Sequence, residues 1–236
     1  MSDYVTNRLN NVKPTETILT GREAGREFCR AMAGDDRTPL TFEGYFPKSD
    51  PRSKDETLRA ARCLGTFDDA LTTLEAWEEE GRNVYVRVNA GGTKKGEIDV
   101  IRAVSIEFDD PDEGHHSKGQ AFPQRWHCEP SLIVRRGRSV HAHWIVRDCP
   151  VDRFSELQDR AVGHYGADPN TRGVQRVWRV PGFAHPLFPD QKVELIVDPE
   201  TAILGEVPRL LLATFEKELP GQVIDLDARR REPDSP

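Results

Sequence analysis

Apolar and polar side chains alternate strictly from residue 104 to residue 109, and this period of two restricts the segment to a β-strand. The apolar positions are Val104, Ile106 and Phe108, and the polar positions are Ser105, Glu107 and Asp109. Alternate Cα atoms of a strand lie roughly 6.5–7 Å apart, so Glu107 and Asp109 on one face could share a hard cation through oxygen ligands. The segment therefore predicts a divalent-metal site. A solvated strand end, continued by Asp110 and Asp112, would produce the same pattern.

The composition indicates an ordinary globular protein. Of 236 residues, 36% are hydrophobic and 31% are charged, which is enough apolar material for a core and too much for a disordered chain. No apolar run approaches a membrane span, and the first residues have no signal-peptide pattern, so we expect a cytoplasmic protein without a membrane partner. The polar residues 1–19 predict an N-terminal arm, residues 20–220 a single domain, and the charged residues 221–236 a disordered tail.

The cysteines do not form a recognisable framework. Cys29, Cys63, Cys128 and Cys149 are scattered without a Cys-x-x-Cys pair, which indicates reduced thiols. A zinc site that uses Cys128 with nearby histidines is conceivable, but the spacing matches no standard zinc finger.

Positive charge is concentrated in one part of an acidic chain. The net charge is −7, yet residues 131–182 contain nine arginines and no lysine against five acidic residues. The guanidinium fork of arginine suits phosphate oxygens, so this segment predicts a phosphate-bearing substrate. An exposed charged surface is the plainer interpretation.

The order of the predicted elements indicates an α+β fold, with strands in hairpins and helices on one face of the sheet. Capping boxes at Thr20 and Thr66 predict two helices, and a helix after Asp152 is expected to end at Gly166. Residues 34–60 are interpreted as a surface loop with at most one strand. The predicted strands are 84–89, 104–109, 131–134, 139–146, 174–180 and 192–197.

Two further groups of residues could carry chemistry. Ser139, His141 and His143 share one face of a predicted strand, and they could bind a metal or a phosphate, or simply lie at the surface. Asp168 is followed by a strand in which Arg176 and Arg179 flank Trp178, a pattern that fits contacts to a triphosphate or a nucleic-acid backbone. If that strand is regular, the two arginines face opposite sides and only one of them touches substrate. Trp178 is expected in the core.

The order of these motifs resembles the archaeo-eukaryotic primase superfamily, and within it the RepB-like primases of plasmids and phages. The segments that carry the resemblance, in a motif-bearing core of residues 74–197, are Val84–Asn89, Arg102–Asp109, His141–Trp144, Gly166–Asp168 and Arg176–Phe183. The resemblance implies an antiparallel-rich, RRM-like catalytic core that synthesises short primers from nucleoside triphosphates on a single-stranded DNA template.

The resemblance also implies roles for individual residues. Glu107, Asp109 and Asp168 would hold two Mg²⁺ or Mn²⁺ ions, and His141 with Ser139 would contact the phosphates of the incoming nucleotide. Arg138, Arg176 and Arg179 would contribute to binding of the substrate. Glu107 stands where the family usually has Asp, and His185 lies where it commonly has a basic residue. The short C-terminal remainder suggests reliance on a partner helicase or replication initiator.

The sequence is compatible with two other functions. In a nicking endonuclease of the His-hydrophobe-His type, His141 and His143 would bind the metal and Tyr165 would be the nucleophile. In an inactive nucleic-acid-binding module, the departures at Glu107 and His185 would have removed catalysis.

Overall fold

The computed structural model describes residues 17–108, 126, 128–137, 139–197, 210–211, 214, 215, 217 and 219. The predicted tail at 221–236 and most of the predicted arm lie outside these residues. In the described part, three α-helices and twelve β-strands form an α+β fold with antiparallel sheets, as the sequence predicts. No helix among these residues is long and apolar enough to cross a membrane.

The helices are α1 (Gly21–Ala33), α2 (Phe67–Glu79) and α3 (Val151–Tyr165). The first six strands are β1 (Thr17–Leu19), β2 (Leu40–Tyr45), β3 (Ala60–Gly65), β4 (Asn83–Arg87), β5 (Ala90–Gly91) and β6 (Ile98–Val100). The remaining strands are β7 (Ala103–Phe108), β8 (Leu132–Arg136), β9 (Ser139–Arg147), β10 (Val177–Arg179), β11 (Val193–Val197) and β12 (Leu210–Leu211).

The strands form two main sheets and a small ribbon. The first sheet has the order β1-β11-β8-β9, with β7 antiparallel and β12 parallel to β9. The second sheet has the antiparallel order β10-β4-β2-β3. Strands β5 and β6 pair only with each other in the described structure. Strand β1 places residues 17–19, which belong to the predicted arm, in the edge of the first sheet.

The alternation in β7 divides the first sheet between two cores. Val104, Ile106 and Phe108 are at most 1% exposed and pack with Trp144 of β9 and the apolar face of α3. On the other side of the sheet, residues from β8 and β11 pack with α1, α2 and the second sheet. The helices therefore cover both sides of the first sheet, with α3 on one side and α1 on the other, whereas the sequence predicted helices on one face only.

The helix ends confirm some predicted caps and correct others. The capping box of α2 is present, since Thr66 Oγ1 accepts from the N–H of Asp69 and the Asp69 carboxylate accepts from the N–H of Thr66. Thr20 is the N-cap of α1 but makes no side-chain capping bond, so the box predicted there is wrong. Helix α3 begins at Val151, so its N-cap is Pro150 rather than the expected Asp152. The helix ends at Gly166 in the left-handed region, as expected.

The second sheet contains a strand that the sequence obscures. Strand β2 lies centrally, between β3 and β4, in the region predicted to be mainly loop. Its pattern is interrupted by Glu43 and Gly44. Glu43 is fully buried and pairs with Arg87 of β4, and a Cβ at Gly44 would lie 2.8 Å from the Trp77 ring of α2. Both interruptions are explained by tertiary partners that a single sequence does not reveal.

Candidate active site

Two polar pairs lie side by side between β7 and β9, on the face turned away from α3. The register places Glu107 opposite His141 and Ser105 opposite His143. Glu107 Oε1 lies 3.1 Å from His141 Nε2, and Ser105 Oγ lies 2.8 Å from His143 Nδ1. The polar face of the strand is thus directed into the protein, towards the second sheet.

The Glu107–His141 pair opens into a cleft of about 110 Å³ between the two sheets. Strands of the first sheet supply one wall, and β4 and the β10 region of the second sheet supply the other. The lining residues are Tyr85, Glu107, Val134, Arg136, Ser139, His141, Arg176, Val177, Trp178, Arg179 and Val193. The structure therefore brings together five of the predicted substrate or catalytic residues, which are Glu107, Ser139, His141, Arg176 and Arg179.

Glu107 is the negative centre of this cleft. Its Oε2 accepts a hydrogen bond of 2.7 Å from Arg176 Nη2, while Oε1 faces His141. Burial alone would raise the pKa of Glu107, but the charges and hydrogen bonds of His141 and Arg176 outweigh it and hold that pKa well below its usual range. The carboxylate is therefore ionised throughout the physiological pH range.

Both predicted arginines line the cleft, whereas a regular strand through residue 176 would have placed them on opposite sides. Strand β10 begins at Val177, which leaves Arg176 in the preceding turn and outside the strand alternation. Arg176 also donates to the carbonyl of Asn170. Arg179 is only 8% exposed and donates to Asn83 Oδ1 at 2.8 Å and to the Tyr85 hydroxyl at 3.2 Å.

Asp168 adjoins Glu107 through the main chain. The N–H of Asp168 donates to the carbonyl of Glu107 at 2.8 Å, and its Oδ1 accepts from the N–H of Asn170 at 2.9 Å. This turn follows α3 and begins the segment that leads to Arg176. Asp109 and Arg138 lie outside the described residues, and within those residues no three His, Cys, Asp or Glu side chains are grouped to hold a metal.

His143 and Tyr165 occupy positions that do not suit a nicking centre. His143 is fully buried between Phe28 and Trp178, with ring centroids 5.2 and 5.1 Å away. Tyr165 lies in the core on the opposite side of the sheet, stacked on Trp144. Since side chains alternate along β9, the sheet itself separates Tyr165 from His141 and His143. Trp178 is 5% exposed, as the sequence predicts for a core residue.

Sequence reasoning missed Tyr85 and Arg136 as lining residues. Tyr85 alternates with the buried valines of β4, but its place in the cleft depends on the pairing with Arg179 across β4 and β10. Arg136 stands opposite Ser139 in the β8–β9 register. The predicted hairpin already implied that Arg136 lies opposite Ser139, and this was the signal that could have placed Arg136 in the site.

Comparison with known proteins identifies the fold. No family model and no curated protein matches the sequence. The AEP domain of the Cyanophage S-2L primase-polymerase matches with a TM-score of 0.62 at 21% identity, over 88% of this chain and 100% of that chain. The chain accordingly has the fold of an archaeo-eukaryotic primase domain.

Two structures of the primase RepB′ also match. Its catalytic domain in complex with initiator DNA gives a TM-score of 0.48 at 17% identity, over 90% of this chain and 98% of that chain. A second RepB′ structure gives 0.47 at 18% identity, over 89% and 65% of the two chains. At these scores the likenesses add nothing to the fold assignment.

Proposed function

We propose that this chain is a DNA primase or primase-polymerase that synthesises short primers from nucleoside triphosphates on single-stranded DNA during plasmid or phage replication. One observation carries the proposal: Glu107, His141 and Arg176, which lie in separate motifs of the sequence, meet within hydrogen-bonding distance in one cleft. They do so in an archaeo-eukaryotic primase fold, where such a constellation supports nucleotidyl transfer.

The charges of the cleft suit a triphosphate. Arg136, Arg176 and Arg179 line it together with His141 and the hydroxyl of Ser139. Guanidinium groups bind phosphate oxygens through paired hydrogen bonds and stabilise charge that develops on a leaving pyrophosphate. In this proposal Ser139 and His141 orient the phosphates of the incoming nucleotide, the arginines of the opposite wall neutralise them, and Arg138 adds charge at the hairpin.

The acidic residues suit Mg²⁺ or Mn²⁺. Carboxylate oxygens are the ligands these hard cations prefer, and Glu107 is held ionised in a buried setting. Glu107, Asp109 and Asp168 would hold the ions, with Asp168 kept beside Glu107 by their main-chain hydrogen bond. A bound metal pair would supply activation of the primer 3′-hydroxyl and neutralisation of the leaving pyrophosphate. The longer side chain of Glu107, compared with Asp, is compatible with the bonds it makes across the cleft.

The proposed setting is a cytoplasmic replication complex. We propose that a helicase or replication initiator helps this domain hold its template. The nicking alternative is not proposed, since Tyr165 packs in the α3-side core, away from both histidines.

Incubation of the pure protein with single-stranded DNA, labelled nucleotides and Mg²⁺ or Mn²⁺ tests the proposal. We expect incorporation by the wild type and by Tyr165→Phe, and none by Asp109→Ala. Absence of product from the wild type under every condition would overturn the proposal and favour an inactive binding module. A covalent DNA adduct on Tyr165 would instead identify a nicking enzyme.

A further inference from the structure

The contact between Glu107 and Arg176 joins the two walls of the cleft. Glu107 belongs to β7 of the first sheet, and Arg176 directly precedes β10 of the second. The Glu107 side chain is 17% exposed and the Arg176 side chain 31%, so both charges are substantially removed from water. Each one compensates the other in a setting where an unpaired charge is costly.

The cleft that contains this contact is small for its proposed substrate. Its volume of about 110 Å³ is below the roughly 300–1,000 Å³ of typical small-molecule sites. Arg176 is hydrogen-bonded to Glu107 Oε2 and His141 faces Oε1, so a metal ion that approaches this carboxylate competes with a protein group for its oxygen atoms. Arg176 is the more replaceable of the two, because it comes from a turn of the opposite wall, whereas His141 is fixed beside Glu107 in the β7–β9 ladder.

We propose that Arg176 is an exchangeable counter-ion that couples metal binding to nucleotide binding. In the ligand-free cleft it neutralises Glu107. When a nucleoside triphosphate and its divalent cation enter, the cation replaces Arg176 at Glu107 and Arg176 moves to the triphosphate. Two ion pairs are thus replaced by two others, and no buried charge is left alone. This inference rests on the proposed function and adds to it a mutual dependence of the two ligands.

Binding measurements with a single ligand avoid the complex that Mn²⁺ forms with nucleotides in solution. The first measures Mn²⁺ binding to the full chain without nucleotide, from the EPR signal of free Mn²⁺. Arg176→Gln should bind Mn²⁺ at least about tenfold more tightly than the wild type, since the competing guanidinium is gone. The matched control is Arg179→Gln, which removes the same charge from the same cleft but breaks contacts to Asn83 and Tyr85 rather than to Glu107. Its Mn²⁺ affinity should change less than about threefold.

The second measurement reverses the roles of the ligands. ATP binding in EDTA should strengthen at least about tenfold in Glu107→Gln, because Arg176 is then released from its carboxylate. That gain should disappear in the double variant Glu107→Gln/Arg176→Gln. A gain that survives in the double variant would show general electrostatic relief and would overturn the exchange. This arm also tests the inference if Arg176→Gln alone fails to fold.

The two hypotheses fail in different ways. Unchanged Mn²⁺ affinity in Arg176→Gln, or an equal gain in Arg179→Gln, would overturn the exchange. The proposed function would still stand if Mn²⁺ binding depended on Glu107 and the wild type incorporated nucleotides. If Glu107→Gln binds Mn²⁺ as well as the wild type and the wild type incorporates no nucleotide, the proposed function fails and the exchange fails with it.

Discussion

Two neighbouring cross-strand pairs, Glu107–His141 and Ser105–His143, have the same strands and the same register but different surroundings. Glu107 and His141 line the cleft, and Glu107 is also bonded to Arg176. Ser105 and His143 form the next pair on the same face, two residues further along β7 and β9, where Phe28 and Trp178 cover them. Ser105 is 3% exposed and His143 is not exposed at all.

The difference shows that a histidine facing a carboxylate strand is not by itself a functional residue. Access to the cleft makes the first pair available to substrate, whereas burial makes the second a part of the scaffold. We therefore expect changes in the first pair to affect nucleotide incorporation and changes in the second to affect the free energy of unfolding.

The largest effect is expected at Glu107. Glu107→Gln keeps the shape of the side chain but removes the charge that faces His141 and Arg176. Incorporation should fall at least about 100-fold, the scale observed when one group that stabilises a transition state is removed. The free energy of unfolding should fall by about 1–2 kcal/mol, because Arg176 loses its charged partner but is partly exposed and keeps its contact with Asn170. A primer-extension assay and denaturant unfolding of the same preparation measure both quantities.

The opposite outcome is expected at Ser105. Ser105→Ala removes the hydroxyl that lies 2.8 Å from His143 Nδ1 and leaves that buried nitrogen without its partner. The free energy of unfolding should fall by about 1–3 kcal/mol, while incorporation by the folded fraction stays within about threefold of wild type. A large loss of incorporation without a loss of stability would contradict the division between the two pairs.

The pH dependence of stability should identify His143. Burial and, to a smaller extent, the charge of His141 lower the pKa of His143 well below its ordinary value of 6.5. The charge of Glu107 acts in the opposite direction and raises that pKa, but it does not outweigh them. Below pH 6.5 the unfolded chain therefore binds a proton that the folded chain does not, and stability falls as the pH falls. This residue should make the protein less stable at pH 5.5 than at pH 7.5, by at most about 1.4 kcal/mol.

Denaturant unfolding of the wild type and His143→Gln at the two pH values isolates this contribution. The variant should lose it, because the other histidines are common to both proteins. Equal pH dependence in the two proteins would show that the pKa of His143 does not differ between the folded and unfolded states.

The smallest effect is expected on the far side of β9. Tyr165→Phe removes a hydroxyl that accepts the N–H of Cys128 at 3.3 Å in the α3-side core. The free energy of unfolding should fall by about 1 kcal/mol, with incorporation unchanged. Loss of incorporation in this variant, at unchanged stability, would contradict a purely structural role for Tyr165.

The sequence predicted the elements that have a clear period or a local signal. The alternation in β7, the β8–β9 hairpin, the capping box at Thr66 and the turn at Gly166 all depend on residues close together in the chain, and the structure confirms them. The central strand β2 was obscured because Glu43 and Gly44 suit it only in the presence of Arg87 and Trp77.

The composition of the cleft was harder to predict than its parts. Nothing local distinguishes His141 from His143, because their exposure depends on how Phe28 and Trp178 pack across the sheets. Nor does the sequence show that Tyr85 meets Arg179, which requires the pairing of β4 with β10. The assignments of Asp109 and Arg138 remain predictions from the sequence motifs.

A crystal structure with Mn²⁺ and a non-hydrolysable nucleoside triphosphate tests whether the cleft at Glu107 is a metal-dependent nucleotidyl-transfer site. We expect anomalous Mn²⁺ density within about 2.0–2.6 Å of a Glu107 carboxylate oxygen, with the triphosphate against Ser139, His141 and Arg176. Mn²⁺ held between His141 and His143, or a triphosphate bound outside the cleft, would contradict it.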